Sequence, residues 1–147
     1  MTEPRLSAYL GSAAKLRKSR LTTLHSAITT DQAPRPGGHY AQGILAGGWL
    51  FVSGQLPIEP GGVVCNTAAF ADQADLALAN ALAVVRAAGK APEQVATATV
   101  FVAGIGNWGV ADAAFARAFG DHRPARSIVP VPELHFGVLI EVELIAL

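Results

Sequence analysis

Residues 124–147 read Pro-Ala-Arg-Ser-Ile-Val-Pro-Val-Pro-Glu-Leu-His-Phe-Gly-Val-Leu-Ile-Glu-Val-Glu-Leu-Ile-Ala-Leu. Two strands are predicted here, Ala125 to Val131 and Val138 to Leu147. Pro130 and Pro132 have no amide proton to give a ladder, so they lie on a sheet edge or at the end of the first of these strands. Gly137 allows the chain to turn back. The second run is apolar nearly throughout and reads as a central strand. Two carboxylates interrupt it. Side chains alternate along a strand, so Glu141 and Glu143, two apart, share one face.

Outward from this pair, Thr97 to Ala103 is a β-branched run and predicts another central strand. A helix is predicted between them, from an Asn107 cap to about Phe119, with Val110, Ala114, Phe115 and Ala118 inward. The clearest helix covers residues 68–88. Leu76, Ala79, Leu82, Ala83 and Ala87 fall near helical spacing, and Gly89 stands at the C-terminal position. Earlier, Tyr40 to Leu45 and Trp49 to Ser53 read as strands joined across Ala46-Gly47-Gly48. Val63-Val64 is predicted as a short third strand.

The order is β-β-β-α-β-α-β-β, an α+β fold with a mixed sheet and two helices on one face. The other face needs cover, which points to self-association. Residues 1–32 are expected to be a helical extension ahead of a domain at 33–147. A helix over residues 1–30 is carried by Leu6, Tyr9, Leu10, Ala13 and Leu16. Asp31 to Gly38 has the composition of a linker.

The chain has 147 residues, 51% hydrophobic and 15% charged, with formal net charge zero. That composition suits a packed domain rather than a disordered chain, and a charge balance of zero does not favour nucleic acid. No apolar run reaches the roughly 20 residues of a membrane span. The start lacks the apolar segment of a secretion signal. Cys65 is the one cysteine, so neither a disulfide framework nor a Cys-based zinc site can form. A cytoplasmic location is the expectation.

Several catalytic signatures fail. His25, His39, His122 and His135 lack metal-ligand spacing. Gly104-Ile105-Gly106-Asn107-Trp108-Gly109 imitates a dinucleotide loop but is read as a flexible turn. Ser53-Gly54 lacks the strand–turn–helix setting of a nucleophile elbow, and Ser53 is expected to hydrogen-bond a loop. Two charges stand out in apolar strands, Arg126 and Glu141. Such charges need a partner or a ligand. One reading is an internal Arg126–Glu141 ion pair between neighbouring strands. The other gives the planar Arg126 fork to a substrate carboxylate and gives Glu141 water and protons to handle.

Six ordered segments resemble the Rid (YjgF, L-PSP) family of imine and enamine deaminases over residues 33–147. They are Gly38-His39-Tyr40-Ala41-Gln42-Gly43, Leu50 to Pro57 around Ser53-Gly54-Gln55, Gln73 with Asn80, Thr99 to Val102, Pro124-Ala125-Arg126-Ser127, and Ile140 to Glu143. The resemblance implies a chorismate-mutase-like fold and a homotrimer with clefts between subunits. It implies hydrolysis of small 2-imino or 2-enamino acids to 2-oxo acids and ammonia, without metal or organic cofactor. By the same resemblance Arg126 binds the substrate carboxylate and Glu141 activates water. Tyr40 orients the substrate, Ser53 and Gly54 shape the wall, and the Ile128 backbone meets the imine end. Phe101 and Asp112 join the expected substrate contacts. Arg126 and Glu141 need not serve the same site as Tyr40, because each cleft lies between chains.

The sequence departs from the family pattern at His39, Asp112, Phe115 and Ile128, and along Pro130 to Phe136. These departures bear on substrate identity more than on fold. Two alternatives accompany the deaminase reading: a non-catalytic trimeric module for small ligands, and an endoribonuclease or translation inhibitor. No membrane partner is expected, and nucleic acid is disfavoured by the charge.

Overall fold

The computed structural model describes residues 25–147. Its elements are β1 (His25–Ile28), β2 (Gly43–Ala46), β3 (Trp49–Gln55), α1 (Phe70–Ala87), β4 (Val95–Ala103), α2 (Trp108–Phe119), β5 (Ala125–Val131) and β6 (Ile140–Ala146). The six strands form one sheet in the order β1-β2-β3-β6-β4-β5. Every pairing is antiparallel except β4 with β5, which are parallel and joined through α2. The predicted positions of the last three strands hold. β6 and β4 are central, and β5, which contains Pro130, is an edge.

The β-β-β opening is also present, but its members differ from those expected. Val64 makes only an isolated bridge to Ile58. The third strand is β1, which pairs His25 with Ala46 and Ile28 with Gly43. The end of the expected helix over residues 1–30 is therefore a strand, because the free edge of β2 offers its backbone a ladder. The sheet begins ahead of the boundary expected at residue 32. The rest of that helix lies outside the described residues. Tyr40 also leaves its expected strand. Its amide closes a tight turn onto Gly38 O, at 3.0 Å, and β2 starts at Gly43.

Gly47 and Gly48 make the two-residue β2–β3 turn with φ of 57° and 86°. Two successive positive φ values match the twist of the flanking strands and suit glycine. α1 ends as predicted. Gly89 has φ 74°, and Lys90 N donates back to Val85 O at 3.2 Å. Asn107 does not cap α2. Its side chain turns back and donates to Ala103 O at the end of β4.

The register sorts the sheet into two faces. Leu50, Val52, Ala98, Val100, Val142 and Leu144 are buried in one core cluster with residues of α1 and α2. Alanines 74, 77 and 81 of α1 are fully buried and let the helix approach closely. Each buried Val or Leu contributes roughly 1.5–3 kcal/mol. The opposite face carries Phe51, Thr97, Thr99, Phe101, Glu143 and Ile145, all partly or fully exposed. No helix among the described residues covers it.

Four carboxamides are buried among the described residues: Gln42, Gln55, Gln73 and Asn80. Each finds backbone partners. Gln42 donates to carbonyls of Thr30, Ala33 and Pro34 and accepts from Thr30 N at 2.7 Å. Gln73 accepts from Leu139 N at 2.9 Å and donates to Ala68 O at 2.8 Å. Asn80 holds Leu56 O at 3.0 Å and Ile58 O at 2.8 Å. The loops that carry these carbonyls are thereby tied to the packed layer. Asn80→Leu leaves two loop carbonyls without their donor. It should lower stability by about 1–3 kcal/mol, read as a lower urea midpoint at unchanged slope.

Candidate functional site

Where β3 meets β6 the register slips. Val52 opposes Leu144, yet Gln55 opposes Val142, so Ser53 and Gly54 together face Glu143. This is a β-bulge, a device that re-aims side chains at a sheet margin. Ser53 N donates to Gln42 O at 3.0 Å, and Ser53 Oγ donates to Ala41 O at 2.7 Å. The serine therefore has the loop-fastening role expected of it. Gly54 is required by close approach: a Cβ there would fall on Glu141 Oε1 and lie 2.9 Å from Glu141 Cδ. The carboxyl of Glu141 rests on the backbone of the bulge.

A cleft of about 850 Å³ opens at this point, and Tyr40, Ser53, Gly54, Glu141, His135 and Phe136 line it. Glu141 is half-buried. Its pKa is raised above the ordinary 4.5, first by burial and then by the like charge of Glu143, while His135 opposes the rise. A carboxyl that keeps its proton more readily is better placed to exchange one near neutral pH. Among the described residues no three His, Cys, Asp or Glu side chains group as metal ligands.

Arg126 is elsewhere. It pairs in register with Ala98, a core residue, whereas Glu141 pairs with Phe101. Ala98 and Phe101 are three residues apart on β4, so Arg126 and Glu141 project from opposite faces. β4 also separates their strands. The expected internal ion pair is absent, and one chain does not bring the two groups to a shared crevice. Arg126 Nη2 instead meets Asp112 Oδ1 at 2.8 Å. Its Cζ lies 4.8 Å from the centre of the Phe115 ring and 5.8 Å from that of Trp108. Its side chain is 20% exposed against 49% for Asp112.

The expected site residues thus fall into two groups. Tyr40, Ser53, Gly54 and Glu141 share the cleft, with Phe101 opposite Glu141 on the ladder. Arg126, Asp112 and Ile128 sit on the helix side of the edge strand, Ile128 packed partly on the core. Two cleft residues, His135 and Phe136, lay in the segment that departs from the family pattern. Their part in the wall was not read from it. An aromatic residue placed just before the permissive Gly137 was the available signal.

The family described as Endoribonuclease L-PSP matches residues 30–147. Among curated relatives, the 2-iminobutanoate/2-iminopropanoate deaminase of Escherichia coli K12 is 38% identical over 124 residues, covering 81% of this chain and 94% of that protein. RutC family protein PH0854 of Pyrococcus horikoshii is also 38% identical, over 119 residues and the same shares. Among solved structures, E. coli TdcF with bound serine superposes with a TM-score of 0.79 at 35% identity, covering 83% of this chain and 98% of that one. The chain belongs to the L-PSP (Rid, YjgF) family.

Two predictions follow from the site's charges. Glu141 has a folded pKa above its unfolded one, so ionised Glu141 disfavours folding. The stability linked to its proton is fully present below pH 4.5 and is lost as pH rises through the higher folded value. Glu141→Gln should therefore melt higher than wild type at neutral pH, and the gap should close below pH 4.5 in thermal unfolding. Asp112→Asn removes the half-exposed partner of Arg126 and should lower stability by up to about 1 kcal/mol, read as a lower urea midpoint.

Proposed function

We propose that this chain is a hydrolytic deaminase of reactive 2-imino and 2-enamino acids, working in clefts between copies of a homotrimer. The observation that carries this reading is Glu141. A half-buried carboxyl with a raised pKa is seated on the glycine of a β-bulge inside a cleft. The relatives named 2-iminobutanoate/2-iminopropanoate deaminase support the substrate class, and serine bound to TdcF supports a small ligand.

The chemistry follows from the groups. Water adds to the C=N carbon of R–C(=NH)–COO⁻ and passes a proton to the Glu141 carboxylate. Glu141 returns that proton to nitrogen, which completes the carbinolamine. The same carboxyl then relays the hydroxyl proton to nitrogen as the C–N bond breaks, so ammonia leaves and the 2-oxo acid remains. Arg126 holds the substrate carboxylate through its fork. Tyr40 stands at the mouth, and Asp112 keeps the guanidinium oriented until the ligand arrives. Ile128 presents backbone near the imine, and Phe101 backs Glu141. No metal or organic cofactor is needed, because imine hydrolysis is intrinsically easy and orientation with one acid–base group accelerates it further.

Arg126 and Glu141 of one chain face apart, so the working pair comes from two copies. The uncovered sheet face, with Trp49 and Phe51 exposed on it, supplies the surface on which copies meet. The ribonuclease name of the family supports a second reading. A formal net charge of zero gives it little electrostatic footing.

The test is complementation. Glu141→Gln should lower kcat for freshly generated 2-iminopropanoate by about 10²–10⁴-fold. Arg126→Ala should lower kcat/KM by roughly 10–10²-fold, the worth of hydrogen bonds to a charged group. Co-refolding the two inactive chains should restore part of the activity. No recovery in mixed oligomers of confirmed composition would overturn the split site. Wild type without turnover would favour the ligand-binding alternative.

A further inference from the structure

The cleft is far larger than the imine of alanine requires. Its volume in the single chain is about 850 Å³, and it is open on one side, where a second copy would bring Arg126. Leu56, Ile58, Pro60 and Val64 give it an apolar wall. The loop that supplies them is held shut by the Ile58–Val64 bridge and by Asn80.

Facing this cleft is Phe136, the one non-glycine with positive φ among the described residues (φ 61°). Holding a bulky residue there costs of order 1–3 kcal/mol, and such strain persists only where surroundings enforce it. The surroundings are explicit. Asn66 Nδ2 donates to Phe136 O at 2.8 Å, across 70 residues of sequence. Gly137 N and Val138 N close turns onto Leu134 O and His135 O. The His135 ring lies against the Phe136 ring, with centroids 3.8 Å apart. The backbone is thus bent to present an aromatic ring that gains little burial for itself, being 52% exposed. Tyr40, 53% exposed, lines the same cleft.

The geometry points to an aromatic subsite beside Glu141, in which Phe136, tilted against His135, receives a large, flat apolar side chain of the substrate. Imines of aromatic amino acids are then the preferred substrates over 2-iminopropanoate. This rests on the imine-hydrolase reading for the reacting end of the molecule, while the subsite itself concerns only the far end. The reaction supplying such a substrate is a two-electron oxidation of an aromatic amino acid at its Cα–N bond by an oxidase or dehydrogenase. Semi-exposed rings stack most favourably on other rings, which sets the class apart from branched aliphatic groups.

Two readouts on the full chain test it. An amino-acid oxidase generates the imines of phenylalanine and alanine in situ, and kcat/KM is measured for each against semicarbazide trapping. Wild type should favour the aromatic imine by at least about tenfold. Phe136→Ala and Phe136→Gly should both bring that ratio towards one, and Phe136→Tyr should restore it. The glycine variant suits φ 61° and should melt no lower than wild type, which removes misfolding as a cause. In parallel, calorimetry compares 3-phenylpropanoate with propanoate. Tighter binding of the former, lost with Phe136, supports the subsite even if no imine is hydrolysed. That outcome would sink the hydrolase reading alone. A ratio near one in both readouts overturns the subsite, whether or not 2-iminopropanoate is turned over. So does a Phe136→Ala chain that changes sedimentation mass while keeping the ratio, because the ring would then belong to a contact between copies.

Discussion

Buried amide groups must be hydrogen-bonded, and that requirement organises this molecule. Gln42, Gln73 and Asn80 sit in or against the packed layer, where an unpaired polar atom would cost about 1–3 kcal/mol each. Their partners are backbone groups of the segments around residues 30–34, 66–68, 56–58 and 139. Pro34, Leu56 and Ile58 of those segments line the cleft, and the side-chain amides act as their fixed points. No buried side-chain polar atom is left unsatisfied among the described residues. The result is a rigid rim around a carboxyl that would otherwise face water.

Glu141 shows what that rigidity achieves. Its strand neighbours Ile140 and Val142 are buried on the helix side, which turns Glu141 outward. The bulge at Ser53-Gly54 then brings backbone against the carboxyl where any side chain would collide. Partial desolvation follows from this seating, and the raised pKa follows from desolvation. Arg126 is set by the opposite logic. It faces the helices, where two aromatic rings and Asp112 surround the guanidinium. Such a cage keeps a planar fork extended without neutralising it by a fully buried partner.

Much of the fold was legible because period and turn chemistry agreed. The β-branched run at Thr97 to Ala103, the proline-bearing edge, the paired glycines at 47 and 48 and the glycine after α1 each have a local physical cause. The first strand was not legible. His25–Ile28 has no strong strand pattern and exists because β2 has a free edge. Val63-Val64 has the β-branched composition but bends around glycines into a loop. At the site, Glu141 and Gly54 could be found from a charge in an apolar strand and from a motif. The mutual position of Arg126 and Glu141 could not. Their strands follow one another in sequence, yet the crossover through α2 lays β5 beside β4 and leaves β6 on the far side. His135 and Phe136 were visible only as departures, because their meaning depends on a backbone angle and a hydrogen bond spanning 70 residues.

Pro130 has a consequence of its own. The outer margin of β5 would otherwise be an open template, able to recruit strands from other molecules into an unending ribbon. A missing amide proton near its end spoils that template. That rim of the sheet is thus a poor starting point for fibrous growth.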